Sequence, residues 1–286
     1  MIIGVVGPTG IGKTKLSVEL AKKYNAIIIN ADSTQVYIGM NIGTAKITEK
    51  EKEGIPHYLF DIVDVNTNYT VYDYQKDARK LIEEHSGKNI IFVGGTGLYL
   101  KAALFNYVFN KEKTRPNNYE QLSNEELYSL ALKKEPYMTI HLNNRKRLIR
   151  FLNKEKIEVK ECFPLYKAIF IGLTTDRETL YNRINSRTDK QFENGLVEEV
   201  KSFYNQKINS KAINTAIGYK ELYKHFNGKI TLSEAKELIK KNCRQYAKRQ
   251  YTWFNNQMDV TWFDVDFNDF QNTINKVINY VDNINK

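Results

Sequence analysis

The sequence predicts an α/β fold, a parallel sheet core flanked by helices and interrupted by a helical insertion domain. Three observations carry that expectation. Short continuous apolar runs alternate with helical patterns, the mark of strands covered on both faces by crossover helices. A loop of the form GxxxxGK[ST] stands between the first apolar run and the first helical pattern. Midway along the chain a polar stretch without strand-like runs breaks the alternation, and a core strand then returns.

Taken in order, Met1–Val6 reads as a buried strand, and "KTKLSVELAKKYN" as a helix with Leu16, Leu20 and Tyr24 on one face. "AIIINADS" (Ala26–Ser33) is a second strand ending in polar residues. Thr70–His85 is a helix with Tyr74, Ala78, Leu81 and Ile82 along its stripe. "NIIFVGG" (Asn89–Gly95) is a third strand, and "TGLYLKAAL" opens the next helix. The polar stretch that follows contains helical patterns at Asn124–Lys134 and Asn143–Asn153, and "KAIFIGLTTD" (Lys167–Asp176) restores the sheet. The remainder is largely helical, with a strand at Asp259–Phe263 and a final helix. These boundaries give a discontinuous catalytic core at 1–112 and 164–286, with the insertion at 113–163.

Composition sets outer limits. At 286 residues, 42% hydrophobic and 27% charged, the chain is long enough and apolar enough for a full core. Cys162 and Cys243 form no CxxC pair, so the sequence offers neither a metal knuckle nor a disulfide framework and points to a reducing, cytoplasmic compartment. No run of about 18 apolar residues exists to cross a membrane. The net charge of +10 admits nucleic acid as a partner without requiring it.

The motif is matched by Gly7-Pro8-Thr9-Gly10-Ile11-Gly12-Lys13-Thr14. Glycines there let successive backbone N–H groups converge on phosphate oxygens at the positive end of a helix. Lys13 adds a point charge, and the Thr14 hydroxyl is a ligand for Mg²⁺. An ATPase would end a neighbouring strand in an acid that helps hold the metal. Here that strand ends in Gly94-Gly95-Thr96-Gly97, and the acid, Asp32, closes the adjacent strand instead. Functional groups of open α/β sheets gather beyond the carboxyl ends of the strands, so the loop, Asp32 and Thr96 should share one crevice. Asp32 fits a general base, a group behind the metal or a helix cap; Thr96 fits a leaving-group contact or the N-cap of "GLYLKAAL". His57, in "IPHYLF", reads as a structural hydrogen-bonder.

Positive charge is concentrated in two places. In "KELIKKNCRQYAKRQYTWF", Lys240, Arg244 and Lys248 recur every fourth residue as a stripe flanked by Lys241 and Arg249, with Leu238, Tyr246 and Trp253 free to pack or stack. "NNRKRLIR" places Arg145, Lys146, Arg147 and Arg150 on the insertion. Two dense basic runs on a phosphate-handling scaffold point to RNA.

The ordered set "GPTGIGKT", "NADSTQVYIGMNIGTAK", "IPHYLFDI", "FVGGTGLYLKAAL", "DRETLYNRINSRTDKQFENGLVEEV", "AIGYKEL" and "CRQYAKRQYTWF" resembles the tRNA dimethylallyltransferases, or tRNA isopentenyltransferases. The resemblance implies a P-loop kinase-like core and Mg²⁺ as cofactor; a monomer is the expected state, though no motif speaks to it. It implies transfer of a dimethylallyl group from dimethylallyl diphosphate to the exocyclic N6 amine of adenosine-37, 3′ to the anticodon in tRNAs reading codons that begin with U. It further implies a channel entered by donor and flipped base from opposite sides. By the same resemblance Asp32 is the general base and Thr96 lies near the bridging oxygen. Lys13 and Thr14 hold diphosphate and metal, and Arg187 meets the diphosphate. Asp32, Ser33, Thr34, Gln35 and Thr96 would touch the anticodon stem-loop, with Arg115, Lys146, Arg147, Arg150, Arg244, Lys248 and Arg249.

The chain departs from the family pattern at Ile47, where proline is usual, at Tyr58, in place of a second histidine, and at Gln191, where methionine is common. The insertion is shorter and divergent. Two other activities suit the same loop: prenylation of a free adenine nucleotide, and ATP-dependent phosphorylation of a small molecule, for which "DRETLYNRINSR" would be an arginine-bearing lid. A non-catalytic RNA-binding protein would also carry the basic runs.

Overall fold

Apolar runs at the N-terminus, at 26–30 and at 89–93 have no polar alternation, so they can only sit in a sheet covered on both sides. The computed structural model of the chain describes residues 1–109, 117–154 and 162–284 and places them there. Strands β1 (Ile2–Val6), β2 (Ala26–Asn30), β3 (His57–Tyr58), β4 (Asn89–Val93), β5 (Ala168–Thr174) and β6 (Thr261–Asp264) form one six-stranded sheet in the order β3-β2-β4-β1-β5-β6. Every pairing is parallel, and the central strand sets Val5 against Val93 on one side and Ile171 on the other.

One face of the sheet packs on α1 (Lys13–Tyr24) and the terminal helix α12 (Phe270–Ile284), through Leu16, Leu20, Ile274 and Val277. The other packs on α3 (Val71–Glu84) and α4 (Gly97–Leu104), through Tyr74, Ala78, Tyr99 and Leu100. Helix α3 starts where its sequence says it should: Thr70 and Asp73 cap each other's backbone N–H groups. The expected stripe is buried except Leu81, which is half-buried. A short helix, α2 (Glu49–Lys52), precedes β3. Neither β3, only two residues long, nor α2 leaves a periodic signal, and the sequence reading missed both.

After β5 come α7 (Arg177–Glu193), α8 (Leu196–Asn205), α9 (Lys211–Thr215), α10 (Tyr219–Phe226) and the 26-residue α11 (Leu232–Gln257). Val36 and Met40 join Val200, Tyr219 and Ile239 in a third apolar cluster among these helices. The last strand lies at Thr261–Asp264 rather than Asp259–Phe263, in register with Ile171–Thr174.

The chain divides into two compact units, Met1–Asn106 with Pro164–Lys286, and Tyr107–Phe163. The smaller holds α5 (Asn124–Lys134) and α6 (Arg145–Leu152), joined by Leu127, Ala131, Ile140, Leu148 and Leu152. Among the described residues no helix is long and apolar enough to cross a membrane.

Candidate active site

Beyond Val6 the chain turns sharply at Gly7, Gly10 and Gly12, whose φ angles of 132°, 81° and 108° are open to glycine and strained for other residues. The turn starts α1 at Lys13 with Gly12 as its N-cap, so the helix's unpaired N–H groups face the loop interior. Ile11 is fully buried and anchors the loop, while Thr9, Gly10, Gly12, Lys13 and Thr14 line a cavity of about 520 Å³. The Lys13 ammonium donates to the carbonyls of Gly7 at 3.0 Å and Pro8 at 2.8 Å. Burial lowers its pKa to about 7; Asp32 opposes that shift and Arg187 adds to it.

Asp32 follows β2 and lines this cavity too. Its backbone is fixed from both sides by Asn30, fully buried in the strand end. That side chain accepts from the Asp32 N–H at 2.9 Å and donates to the Asp32 carbonyl at 3.0 Å. Both hydrogen bonds accepted by the carboxylate, from the Thr34 N–H at 2.9 Å and the Thr34 hydroxyl at 2.7 Å, fall on Oδ1.

A second cavity, of about 340 Å³, opens toward the helices and is lined by Ser33, Thr34, Ile184, Ile217, Cys243, Tyr246 and Arg249 among others. Thr9, Asp32, Thr44, Arg187 and Gln191 line both cavities. The two spaces thus meet at the aspartate and an arginine. The Arg187 guanidinium donates to the Thr9 hydroxyl at 2.9 Å and to the Thr44 carbonyl at 3.5 Å. Desolvation, partly offset by Asp32, pulls its pKa below the usual arginine value.

Thr96 occupies the N-cap position of α4, but its hydroxyl caps nothing there. It accepts the Ser33 N–H at 3.1 Å and meets the Ser33 hydroxyl at 3.3 Å, joining the ends of β2 and β4. Thr96 and Gln250 both face the Tyr246 hydroxyl, whose pKa is raised mainly by burial and further by Asp32. No acid could replace Gly94 at the end of β4, because a Cβ there would run into the Ala31 backbone. Packing between two strand ends therefore excludes a metal-binding carboxylate at this point.

The other expected RNA contacts divide. Gln35 lines the larger cavity and donates to the carbonyls of Thr44 and Ala45, at 3.0 and 3.4 Å. On α11, Lys248 and Arg249 are exposed, and Arg244 is half-buried with Nη1 on Asn185 at 2.6 Å. Lys240 is a correction to the basic stripe: its ammonium pairs with Asp189 at 2.9 Å and Glu237 at 3.2 Å, so its charge is neutralised on the spot. Trp253 likewise does not stand free, since it packs on Gly97 and edge-on against Phe254. Within the smaller unit Lys146, Arg147 and Arg150 are exposed on α6. Arg145 instead ties that unit together through the carbonyls of Leu122 (2.5 Å), Tyr119 (3.2 Å) and Glu120 (2.7 Å). Arg115 lies outside the described residues.

Two contributors went unread in the sequence. Gln250 accepts the Thr9 N–H at 3.0 Å and donates to the Gly95 carbonyl at 3.1 Å, bridging the phosphate loop and the β4–α4 turn. Arg183 Nε donates to the Gly10 carbonyl at 3.2 Å. The only available signal was their place within the "RQYAKRQ" and "DRETLYNRINSR" motifs. His57 bonds through Nδ1 to the Ile55 carbonyl at 2.8 Å, and burial lowers its pKa, in keeping with a structural role.

The IPP transferase family model matches residues 35–257. The tRNA dimethylallyltransferase of Anoxybacillus flavithermus is 43% identical over 98% of this chain and 96% of its own length. That of Bacillus subtilis is 45% identical over 92% of this chain and 90% of its own. The crystal structure of a Bacillus halodurans tRNA isopentenylpyrophosphate transferase superposes with a TM-score of 0.76 at 41% identity, covering 99% of this chain and 95% of that one. A eukaryotic dimethylallyltransferase captured acting on tRNA gives 0.77 at 29% identity, covering 92% of this chain and 73% of that one. The chain belongs to the IPP transferase family.

Proposed function

We propose that this protein transfers a dimethylallyl group from dimethylallyl diphosphate to the N6 amine of adenosine-37 in tRNA. One observation carries the reading: Asp32 and Arg187 line both the cavity of the phosphate loop and the cavity that opens toward Tyr246 and Arg249. A donor entering by one and a base by the other would meet at the carboxylate.

The N6 lone pair is delocalised into the purine and is a weak nucleophile. Attack on the allylic carbon forms the C–N bond, breaks the C–O bond to diphosphate and sends the bonding electrons to the leaving group. The amine proton passes to Asp32, where Oδ2 is the oxygen left for it, a contribution of about 10²–10⁴-fold. Negative charge grows on the departing diphosphate, so donors already aimed at it lower the barrier. The loop N–H groups, Lys13 and Arg187 would supply those donors, with the Thr96 hydroxyl, set between Ser33 and Tyr246, as the candidate contact to the bridging oxygen. The loop is then a diphosphate handle, with no nucleotide hydrolysed.

Mg²⁺ fits this site on chemical grounds. Among the described residues no cluster of three or more acidic, His or Cys side chains could cage an ion. A cation bound by diphosphate oxygens, water and the Thr14 hydroxyl at the cavity wall needs no such cage. Its chemistry would be neutralisation of the diphosphate.

An anticodon-loop base leaves its stack at a cost of about a few kcal/mol, and stacking on an aromatic face offsets it. Tyr246, with the Arg249 guanidinium 5.8 Å from its ring, stands at the cavity for that purpose. Lys248 and Arg249 on α11, and Lys146, Arg147 and Arg150 on α6, would grip the phosphates. The proposal takes the acting species to be a monomer. Free Cys162 and Cys243 support a cytoplasmic setting.

The test is a mass measurement on unmodified tRNA after incubation with dimethylallyl diphosphate and Mg²⁺. A single prenyl adduct on the adenosine 3′ to the anticodon is expected. Phosphate transfer from ATP without prenylation, or prenylation of free adenine nucleotide alone, would overturn the reading.

A further inference from the structure

The loop Met40–Ala45 walls both cavities: Gly43 and Thr44 face the helical one, while Asn41, Ile42, Thr44 and Ala45 face the phosphate-loop one. A single carboxylate holds it. Glu199, on α8, accepts the N–H groups of Asn41 at 3.0 Å and Ile42 at 2.7 Å on Oε2. Its Oε1 accepts the Gly43 N–H at 3.0 Å and the Tyr219 hydroxyl at 2.5 Å. Three successive N–H groups converging on one anion form a nest, here closed on a side chain of the same protein. Gln191 secures the opposite side by donating to the carbonyls of Ile42 at 2.6 Å and Gly43 at 3.1 Å.

What this holds in place is the next peptide. The Thr44 carbonyl accepts from Gln35 at 3.0 Å and from Arg187 at 3.5 Å, and Arg187 in turn donates to Thr9 of the phosphate loop. An unbroken series therefore runs from Glu199 through the loop to Arg187 and the cradle. Lys46, one residue beyond, pins the loop's far end by donating to the Tyr37 carbonyl at 2.8 Å and the Asn41 side chain at 3.0 Å.

We propose that Glu199 is a positioning residue for the diphosphate end of the site, acting through the 41–45 loop on Arg187. The proposal rests on the prenyl-transfer reading only for the identity of the anion. A carboxylate has two acceptor oxygens with room for four donors, and it meets four here. An amide of the same size has one acceptor oxygen and an NH₂ that would face the loop's own N–H groups. Glu199→Gln thus keeps the volume, sets donor against donor and releases the loop, so Arg187 loses its fixed aim.

The experiment is calorimetric titration of the full chain with inorganic pyrophosphate and Mg²⁺, paired with steady-state kinetics on dimethylallyl diphosphate and tRNA. A misplacement of about 1 Å can cost about 100-fold, so Glu199→Gln is expected to weaken pyrophosphate by about tenfold or more and to raise the donor KM in step. The tRNA KM should move less than the donor KM, because the proposed phosphate contacts Lys248 and Arg249 lie on α11, whereas the loop N–H groups are bonded to Glu199 on α8. Tyr219→Phe removes one of the four donors and leaves the three loop contacts, so pyrophosphate binding should stay within about threefold of wild type. Wild-type pyrophosphate affinity and donor KM in folded Glu199→Gln, with only its Tm lowered, would reduce the carboxylate to a fold anchor and overturn the proposal. If that variant does not fold, the shorter Glu199→Asp decides, since wild-type pyrophosphate affinity there overturns it equally. Pyrophosphate binding does not need prenyl transfer, so a wild-type protein that binds it and modifies no tRNA fails the functional reading alone.

Discussion

The side chain of Gln250 accepts the backbone N–H of Thr9 at 3.0 Å, across 241 positions of sequence, and hands its amide protons to the Gly95 carbonyl. The helix that carries Arg244, Lys248 and Arg249 is thereby fastened to the phosphate loop at a buried point. The basic residues of α11 and the glycine loop proposed to bind diphosphate are thus coupled through one side chain.

Gln250→Leu should therefore do more than loosen the fold. It strands the Thr9 N–H and the Gly95 carbonyl, at about 1–3 kcal/mol for each group left unpaired. Denaturant unfolding should register that loss, and the donor KM should rise more than the tRNA KM. An unchanged midpoint with an unchanged donor KM would remove Gln250 from this role.

Lys13 gives a pH signature. Its pKa in the folded protein is lowered to about 7 by burial, whereas the unfolded chain holds the proton up to the ordinary lysine value. The unfolded state binds more protons between those limits, so Lys13 makes the free protein's stability rise as pH climbs from about 7 toward 10. Pyrophosphate needs the charged ammonium, so its binding should draw in a proton above pH 7. Calorimetry in buffers of different ionisation enthalpy reads that uptake, and Lys13→Arg should abolish it. Equal uptake in Lys13→Arg would place the titrating group elsewhere.

At Gly94 a methyl group would meet the Ala31 backbone, which cannot swing aside as a flexible side chain could. Gly94→Ala should destabilise the protein by about 1–3 kcal/mol and push the Asp32 segment out of line. A crystal structure of the variant with Asp32 unmoved, together with wild-type Tm, would contradict this.

On the smaller unit, exposed Arg147 should contribute by charge alone. Arg147→Ala is expected to weaken tRNA binding and to reduce the slope of log Kd against log salt by about one, leaving the single-turnover rate at saturating tRNA intact. A slope equal to wild type would take Arg147 off the RNA surface.

Much of this was legible in the sequence because backbone needs and side-chain types coincide. The uninterrupted apolar runs of β1, β2, β4 and β5 admit few other placements, and the glycines and Lys13 of the loop encode its shape directly. Asp32 and Thr96 became candidates because strand ends in a parallel sheet point to one crevice; Asp32 lines both cavities, whereas Thr96 meets Ser33 and is not among the residues lining either. The rest depended on partners far away in the chain. Nothing local distinguishes Lys240, neutralised by Asp189, from exposed Lys248 about two turns along the same stripe. Gln250 and Glu199 act through backbone groups of Thr9 and of residues 41–43, and backbone groups leave no trace in a sequence. Strand β3 is two residues long and borrows its stability from β2.

The most direct measurement is the rapid-quench single-turnover rate of C–N bond formation in Asp32→Asn, with donor and tRNA both saturating. An amide of equal size cannot take the N6 proton, so the rate should drop by about 10²–10⁴-fold while both substrates still bind. A wild-type rate would show that the amine loses its proton to some other group, and the carboxylate at the junction of the two cavities would have no part in the chemistry.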